Sequence, residues 1–189
     1  PKGHSATEGA VEVPSAVPDL RVRHTHSDAG VPVSYWRSVG HSHNGFAVET
    51  FMDELAHRAG EDPVRFRLRH LADSPRHRAV LEQAAEAAGW GEPLPEGRAR
   101  GVALHRSFGT FVAQVVEAGI ENDEIQVHRV TCAADCGRMV NPDIVRMQME
   151  SGIIFGLTAA LYGEVDWDDN GRVKQSNFHD YTLMRHNET

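Results

Sequence analysis

Apolar residues recur at helical spacing in the first half of the chain and predict three short helices in succession, at about residues 46–59, 62–71 and 74–89. Gly60 follows the first helix as a residue that tolerates a left-handed conformation. Asp62-Pro63 and Ser74-Pro75 each place a capping side chain before a proline, which is typical of a helix start. Residues 36–89 are therefore predicted to form a loop and three helices.

The pattern changes near Gly101 to apolar runs rich in β-branched residues. These runs predict strands at Gly101–Phe108, Thr110–Ile120 and Ile125–Ala134. A turn signal at Gly119–Asp123 separates the last two strands, and the short connections favour an antiparallel meander.

A further helix is predicted from about Asp143 to Leu161, because Asn141-Pro142 provides a cap before an apolar run. Gly152 and Gly156 weaken this helix, so we expect another backbone or a ligand to approach it closely there. The last predicted element is a hairpin. Its two strands are Gly163–Trp167 and Arg172–Asn177, and the turn between them is Asp168–Gly171.

The order of elements indicates an α+β fold. The first 35 residues contain four of the nine prolines and are predicted to be an irregular lead-in with one or two short strands, such as Leu20–Arg23. Residues 101–189 hold the meander, the helix and the hairpin. Because the predicted helices and strands are segregated rather than alternating, a parallel βαβ sheet is not expected.

The composition is that of an ordinary globular protein, with 40% hydrophobic and 24% charged residues among 189. It excludes a disordered chain, a fibre and a membrane span, and a net charge of −8 without a basic stripe argues against nucleic acid as a partner. Cys132 and Cys136 lie too far apart along a predicted strand to bridge, so two thiols are expected. Both ends of the chain look unfinished, and we expect a piece of a longer polypeptide.

The densest cluster of polar and aromatic residues runs from Ser34 to Gly45, before the first predicted helix. N–H groups at a helix start attract anionic or oxo groups, and Arg37 adds a cation with a planar donor fork. The alternative is that Ser42 or Asn44 caps the helix and the histidines lie on the surface. The residues alone leave both interpretations open.

Three other motifs favour ordinary structural roles. Ser42 as a nucleophile needs a G-x-S-x-G elbow after a strand, and the run from Gly40 to Gly45 is one residue too long. Asp166–Gly171 matches the start of a calcium loop, but Asn177 stands where a bidentate carboxylate is required, and a tight turn explains the run. Two pairs have the His-x-His spacing of metal ligands without a third ligand at a fixed spacing, namely His24 with His26 and His41 with His43.

A second informative run begins where the third predicted strand ends. Asp135 leads through a glycine-containing loop to Asn141-Pro142, and Gln148 follows on the next helix. The Gln148 amide can donate and accept hydrogen bonds without carrying charge, and Gly152 leaves room beside it. The alternative is a helix packed closely on a neighbour, with Gln148 at its rim.

Five stretches are specific in combination: Trp36–Asn44, Phe51–Ala56, Asp62–Arg67, Asp135–Pro142 and Ser176–Tyr181. Through them the chain resembles the molybdenum-binding large subunit of the xanthine dehydrogenase and aldehyde oxidase family. It is similar in particular to the bacterial branch called isoquinoline 1-oxidoreductase beta subunit or aldehyde dehydrogenase large subunit. The resemblance covers nearly the whole chain, from about Glu8 onwards, and implies part of a molybdopterin-binding domain.

The resemblance also implies roles for particular residues. The family loop R-G-F-G-G, beside the molybdenum centre, falls on Arg37 to Gly40, so both of these residues would bind the cofactor. Val39 replaces the family's phenylalanine and would line the substrate pocket with His41, although valine offers no π face for stacking a purine. Gln148 matches the glutamine that hydrogen-bonds the pterin.

In the family, the whole subunit oxidises aldehydes or N-heterocycles with water as the oxygen source, and a glutamate in a G-x-G-E-P-like run acts as base. That run is absent here, and Glu164 and Glu188 lack its context, so no catalytic residue is nominated. We expect a fragment that lines the cofactor site but neither turns over nor retains the cofactor alone. The full subunit would hold molybdenum with molybdopterin in its cytosine dinucleotide form.

The implied partners are the rest of the molybdenum subunit and an iron–sulfur small subunit, with a cytochrome as a further candidate. No nucleic acid and no transmembrane segment are expected. Family analogy favours the periplasm, with the cytoplasm as the alternative. Two other functions stay open: a non-catalytic binding or assembly module of the same fold, and a serine or metal hydrolase that uses Ser42 and the histidines.

Overall fold

The computed structural model describes residues 4–13, 16–17, 19–28, 30–31 and 33–185, and within these ranges it contains five helices and three strands. In chain order the elements are α1 His4–Thr7, α2 Gly40–Ala59, α3 Pro63–Arg69, α4 Pro75–Ala88, β1 Arg98–Ser107, β2 Thr110–Glu121, β3 Glu124–Asp135 and α5 Pro142–Leu161. They fall into two compact units, Pro1–Thr25 with Tyr35–Gly137 and His26–Ser34 with Arg138–Thr189. The predicted α+β class is confirmed.

The three strands form one antiparallel sheet in the order β1-β2-β3, which is the predicted meander. Both connections are two-residue turns, Phe108-Gly109 and Asn122-Asp123, and φ is positive at each of the four residues. Turns of this kind match the right-handed twist of the strands that they join. The register between β2 and β3 shifts once, at Glu117/Ala118.

The core of the first unit lies between α4 and one face of the sheet. Small and branched side chains on α4 face the inward positions of β1 and β2, which allows the helix and the sheet to approach closely. The buried set comprises Val64, Leu71, Val80, Leu81, Ala84, Ala85, Ala88, Val102, Leu104, Phe111, Ala113 and Val115.

A buried arginine on α3 and a carboxylate on α2 together join these two helices to the sheet. Arg67 is 2% exposed, and it donates from Nε to Glu49 at 3.0 Å and from Nη1 to Asp53 at 2.6 Å, both on α2. The same Glu49 oxygen, Oε2, accepts the N–H of Leu104 on β1 at 2.7 Å. Burial raises the pKa of Glu49 above its ordinary value, and the charge of Arg67 opposes that increase. One carboxylate thus links three elements of the first unit.

The second unit contains α5 and the irregular chain that follows it. The side chain of Asn141 accepts the N–H groups of Asp143 and Ile144 at 3.0 and 3.2 Å, so the predicted cap of this helix is confirmed. The predicted hairpin is reduced to a single antiparallel bridge between Trp167 and Val173.

Side chains explain why the hairpin forms no longer ladder. Gln175 accepts the N–H of Asp166 through its amide oxygen at 2.9 Å. The carboxylate of Asp180 accepts the N–H groups of Ser176 and Asn177 at distances of 2.8 to 3.0 Å. Backbone donors that are bonded to side chains are not available to a neighbouring strand.

Two predictions for the N-terminal part are wrong. The first long helix begins at Gly40 rather than near Phe46, so residues 41–45 are helical. Phe46 and Phe51, which contribute to the apolar spacing of this helix, are 73% and 57% exposed. Leu20–Arg23 forms no strand among the described residues, since no neighbouring strand pairs with it.

α5 is the one helix in the described ranges whose 20 residues are long and apolar enough to cross a membrane, and only 6% of its most apolar window is buried. Length and composition are weak indications, because the core helix of a soluble protein meets the same criteria. The expectation of no transmembrane segment therefore stays a prediction.

Replacing Arg67 by Met should strongly destabilise the first unit. Glu49 would stay buried without its cation, and removing one partner of a buried ion pair costs about 3–5 kcal/mol. Urea unfolding followed by circular dichroism at pH 7 measures the change in unfolding free energy.

Arg146→Met is the matched control, because Arg146 pairs with Asp143 and Glu150 on the exposed surface of α5. This substitution should change the unfolding free energy by less than about 0.5 kcal/mol. If Arg67→Met costs no more than its control, the buried pair of Arg67 with Glu49 does not hold the first unit together.

Candidate functional site

Four of the five predicted site residues lie at the turn that leads into α2. The Val39 N–H donates to the carbonyl of Trp36 at 3.0 Å, and the His41 N–H donates to that of Ser38 at 3.0 Å. Val39 itself has φ 51° and ψ −130°, a conformation that a β-branched residue adopts only where its surroundings impose it. The turn therefore stores strain of about 1–3 kcal/mol.

Gly40 is buried at the first position of α2 because the N-terminal segment, residues 4–13, packs directly on it. A Cβ at Gly40 would lie 1.8 Å from the backbone oxygen of Ser5. Only glycine allows this approach, so Gly40 has a steric role besides its predicted role at the cofactor.

Asn44 and Ser42 were alternatives for capping α2, and neither does so. The Asn44 amide donates to the carbonyls of Ala6 and Glu8 at 2.9 and 2.8 Å and so holds the N-terminal segment. The N-cap position is Val39, which makes no side-chain cap bond. Ser42 lies inside the first turn of α2, and the described residues contain no strand before it, so a nucleophile elbow is not formed.

Arg37 is exposed on the turn and supplies positive charge there. The start of α2 offers fewer free N–H groups to an anion than the sequence predicts. The N–H groups of Val39, His41 and Ser42 already donate to carbonyl oxygens of the turn. An anion at this position would therefore rely on the guanidinium of Arg37 more than on the helix start.

His41, predicted to line the substrate pocket, is 7% exposed and forms a pair with His105 on β1. Nδ1 of His41 lies 3.0 Å from Nε2 of His105, and the ring centroids are 5.2 Å apart. The ring of Phe108 lies 5.4 Å from that of His41. Burial, together with the neighbouring His41, lowers the pKa of His105, and the charge of Glu12 opposes that shift.

Metal-ligating side chains are scattered among the described residues. The described part of the chain contains no group of three or more His, Cys, Asp or Glu side chains that could hold a metal ion. His24, His26 and His43 are exposed. Cys132 and Cys136 are free thiols, as predicted, and burial raises the pKa of Cys132.

Gln148 lies on α5 in the second unit, whereas the other four predicted site residues belong to the first. Its amide is exposed, so both its donor and its acceptor can reach a ligand. A Cβ at Gly152 or Gly156 would meet no described atom within 4 Å. The close approach expected at these glycines is therefore absent from the described residues.

Asp135 is fixed at the end of β3 by Arg76 on α4. The guanidinium donates from Nε and Nη2 to the two carboxylate oxygens at 2.7 and 2.8 Å, and it lies 4.2 Å over the ring of Phe111. Asp135 also accepts the N–H of Gly137 at 2.9 Å. These bonds lower the pKa of Asp135 to about 2. The run that leads to α5 is thus anchored where it leaves the sheet.

The calcium-like run Asp166–Gly171 is a tight turn. The carboxylate of Asp168 accepts the N–H groups of Asn170 and Arg172 at 2.9 and 3.0 Å. Gly171 has φ 75°, which the turn requires and glycine permits. The predicted tight turn is confirmed for these residues.

Sequence reasoning missed His105 and the true role of Asn44. His105 carried one signal, a histidine directly after the apolar stretch Gly101–Leu104, but its partner is 64 positions away in sequence. Asn44 was noticed as a possible cap, while its bonds to the N-terminal segment depend on how that segment folds back.

Residues 43–189 match the family model of the molybdopterin cofactor-binding domain. Since this match covers most of the chain, the chain belongs to that family, and its class is the molybdenum cofactor domain of oxidoreductases. The resemblance inferred from the sequence motifs is confirmed.

Among curated proteins, the chain is 40% identical over 174 residues to the isoquinoline 1-oxidoreductase beta subunit of Brevundimonas diminuta, covering 89% of this chain and 22% of that protein. It is 35% identical over 159 residues to a nicotinate dehydrogenase subunit of Pseudomonas putida, covering 74% of this chain and 13% of that protein. A membrane-bound aldehyde dehydrogenase of Gluconacetobacter polyoxogenes is 28% identical over 170 residues, covering 79% of this chain and 22% of that protein. The chain thus spans less than a quarter of each of these relatives.

Gly40→Ala should detach the N-terminal segment. The added Cβ collides with the Ser5 oxygen, and this backbone contact can be relieved only by moving residues 4–13 or the start of α2. Hydrogen exchange measured by mass spectrometry should show loss of protection, by about tenfold or more, in residues 4–13.

Gly156→Ala is the matched control, because the position is helical and open. It should leave exchange in residues 4–13 unchanged and stabilise α5 by about 0.5–1 kcal/mol. Unchanged protection in the Gly40 variant would contradict the packing described here.

Val39→Gly should stabilise the protein by about 1 kcal/mol, because relief of strain outweighs the backbone entropy that glycine adds. Val48→Gly, at an unstrained position inside α2, should instead lower stability by about 1 kcal/mol. Thermal unfolding compares the two variants, and equal losses would mean that Val39 carries no strain.

Proposed function

We propose that this chain forms part of the cofactor and substrate wall of a molybdenum hydroxylase subunit that oxidises an aldehyde or an N-heterocycle with oxygen from water. The observation that carries the proposal is the strained turn at Val39, flanked by exposed Arg37 and buried Gly40, in a chain of the molybdopterin cofactor-binding family. Backbone strain of this kind clusters at active sites and ligand clamps.

The donor groups of these residues suit the cofactor. Bound molybdopterin carries negative phosphate and a polar ring system, and with molybdenum it supplies the redox chemistry. Arg37 would bind the anionic part through its guanidinium fork. Gln148 would hydrogen-bond the pterin, whose edge presents both donors and acceptors. Gly40 would contribute by letting the N-terminal segment pack on the turn and fix its backbone beside the cofactor. The cytosine dinucleotide form is the variant that we propose.

Val39 would form the substrate side of this wall. Its aliphatic side chain offers dispersion contacts and no π face, so a substrate would be held by shape rather than by stacking. The relatives named for isoquinoline, nicotinate and aldehyde support an N-heterocycle or aldehyde as the substrate class. His41 is buried against His105, so it would affect the conformation of the turn and would not contact the substrate directly.

The remaining parts of the enzyme would come from outside this chain. α5 exposes 56% of Ile144 and 60% of Met147, and it is open at Gly152 and Gly156. We infer that the rest of the molybdenum subunit covers this face, because only 6% of the most apolar window of α5 is buried and a long exposed apolar face marks an interface. The same part would supply the base, since neither Glu164 nor Glu188 stands in the G-x-G-E-P-like run that carries the base in the family.

Electrons would leave through an iron–sulfur small subunit, with a cytochrome as a further acceptor. A periplasmic location is proposed by family analogy only. The second candidate function is a non-catalytic binding or assembly module, which is favoured by the absence of a G-x-G-E-P-like run from these 189 residues.

The test is a hybrid in which this chain replaces the matching segment of the isoquinoline 1-oxidoreductase beta subunit. The hybrid should contain molybdenum close to stoichiometry and oxidise an N-heterocycle, whereas the isolated chain should contain little molybdenum and show no turnover. Elemental analysis and substrate assays measure both.

Arg37→Ala and Gln148→Ala in the hybrid should each lower molybdenum content, by about tenfold where a charged or buried hydrogen bond to the cofactor is lost. Arg146→Ala, another exposed arginine, is the control and should keep full loading. A loaded but inactive hybrid would favour the assembly module, and stoichiometric molybdenum with turnover in the isolated chain would overturn the fragment proposal.

A further inference from the structure

The contact between His41 and His105 has a chemical requirement. Nδ1 of His41 and Nε2 of His105 are 3.0 Å apart, so one nitrogen donates a proton and the other accepts it. Two protonated rings would leave no acceptor between them. The contact therefore exists only while at least one of the two rings is neutral.

Neither ring can turn away without a larger movement. A Cβ at Gly9 would lie 2.9 Å from Cε1 of His105 and 3.1 Å from Nδ1 of His41, so the N-terminal segment covers the pair closely. Asn44 fixes that segment through its two hydrogen bonds. Phe108 contacts the His41 ring from the turn between β1 and β2.

The pair is connected directly to the strained turn. His41 follows Gly40 in sequence, and its N–H closes the turn by donating to Ser38. Strained backbone persists only where neighbouring groups determine its conformation. His105 is the side chain of the sheet that holds the first turn of α2 by a hydrogen bond, while Glu49 holds the helix two turns later.

We propose that His105 is a positioning residue, which through its bond to His41 sets the conformation of the Arg37–Gly40 turn and makes that conformation sensitive to acid. The inference rests on the proposed function for the meaning of this turn as a cofactor and substrate wall. The structural part, that His105 holds the turn, stands on the geometry of this chain alone.

The direction of the pH effect follows from the surroundings. Burial and His41 lower the pKa of His105 below its ordinary value of 6.5, while Glu12 opposes them. Because the charge of His41 is one cause of this shift, protonation of His105 is the step that leaves two cations and no acceptor between the rings. The contact therefore contributes its full stability above about pH 6.5 and loses it as the pH falls through the folded pKa of His105. The nearest further charged or titratable groups in sequence on these elements include Glu8 on the N-terminal segment, His43 on α2 and Arg106 on β1. On α4, His77 is close enough to His105 for the charge of His105 to lower the pKa of His77, and Arg76 acts on His77 as well.

His77 gives a second, separate acid response. It is 7% exposed, and burial together with Arg106, His105 and Arg76 lowers its pKa to about 4. Because His77 packs on Phe111 in the core of the sheet, its protonation should loosen the core rather than the turn. The two responses can be separated residue by residue.

The experiment measures amide hydrogen exchange of the full chain by NMR between pH 7 and pH 4, as protection factors corrected for intrinsic exchange. His105→Ala should lower the protection of the His41 amide about tenfold at pH 7, because a buried ring nitrogen loses its partner. His105→Gln can still hydrogen-bond to His41 but does not titrate. It should restore that protection and remove the loss seen in the wild type as the pH falls below about 6.5.

His43→Gln, at an exposed position on the same helix, should behave as the wild type. Unchanged protection of His41 in His105→Ala with an intact sheet would overturn the proposal, and so would an unaltered pH profile in His105→Gln. No cofactor enters this measurement, so its failure leaves the cofactor proposal untouched. Equally, loss of molybdenum in the hybrid tests Arg37 and Gln148 without involving His105.

Discussion

The first unit depends on the placement of one buried carboxylate between an arginine and a strand. Glu49 accepts the guanidinium of Arg67 and the backbone N–H of Leu104, so α2, α3 and β1 share a single charged group. Burying such a charge is unfavourable unless it is paired and hydrogen-bonded. The pairing determines where α2 lies along the sheet, and the turn at its start therefore has a defined place.

The predicted site is built at the end of this fixed helix. Gly40 admits the N-terminal segment, Asn44 bonds it, and His41 reaches His105 on the sheet. Because these contacts fix the first turn of α2, Val39 is kept in a backbone conformation that its branched side chain disfavours. Through His41, His105 on the sheet thus bears on the turn that we propose as part of the cofactor wall.

Most secondary structure was predictable because its signals are local. Proline after a capping residue marked the starts of α3, α4 and α5, and β-branched runs with polar turns marked the meander. The start of α2 was not predictable, since its N-cap is a strained valine rather than a capping side chain. The hairpin after α5 failed to lengthen because nearby side chains took its backbone donors.

The sequence by itself determined the α+β class, the family and the residue types available to a cofactor, because these follow from periodicity and from motifs read in order. It could indicate Arg37, Val39, Gly40, His41 and Gln148, but not what each of them contacts. Only the tertiary structure decided that His41 pairs with His105 and that Glu49 joins Arg67 to β1. Such contacts join residues that are far apart in the chain. Folding buries their polar groups together, and each group must then find a partner because a buried polar group without one is unfavourable.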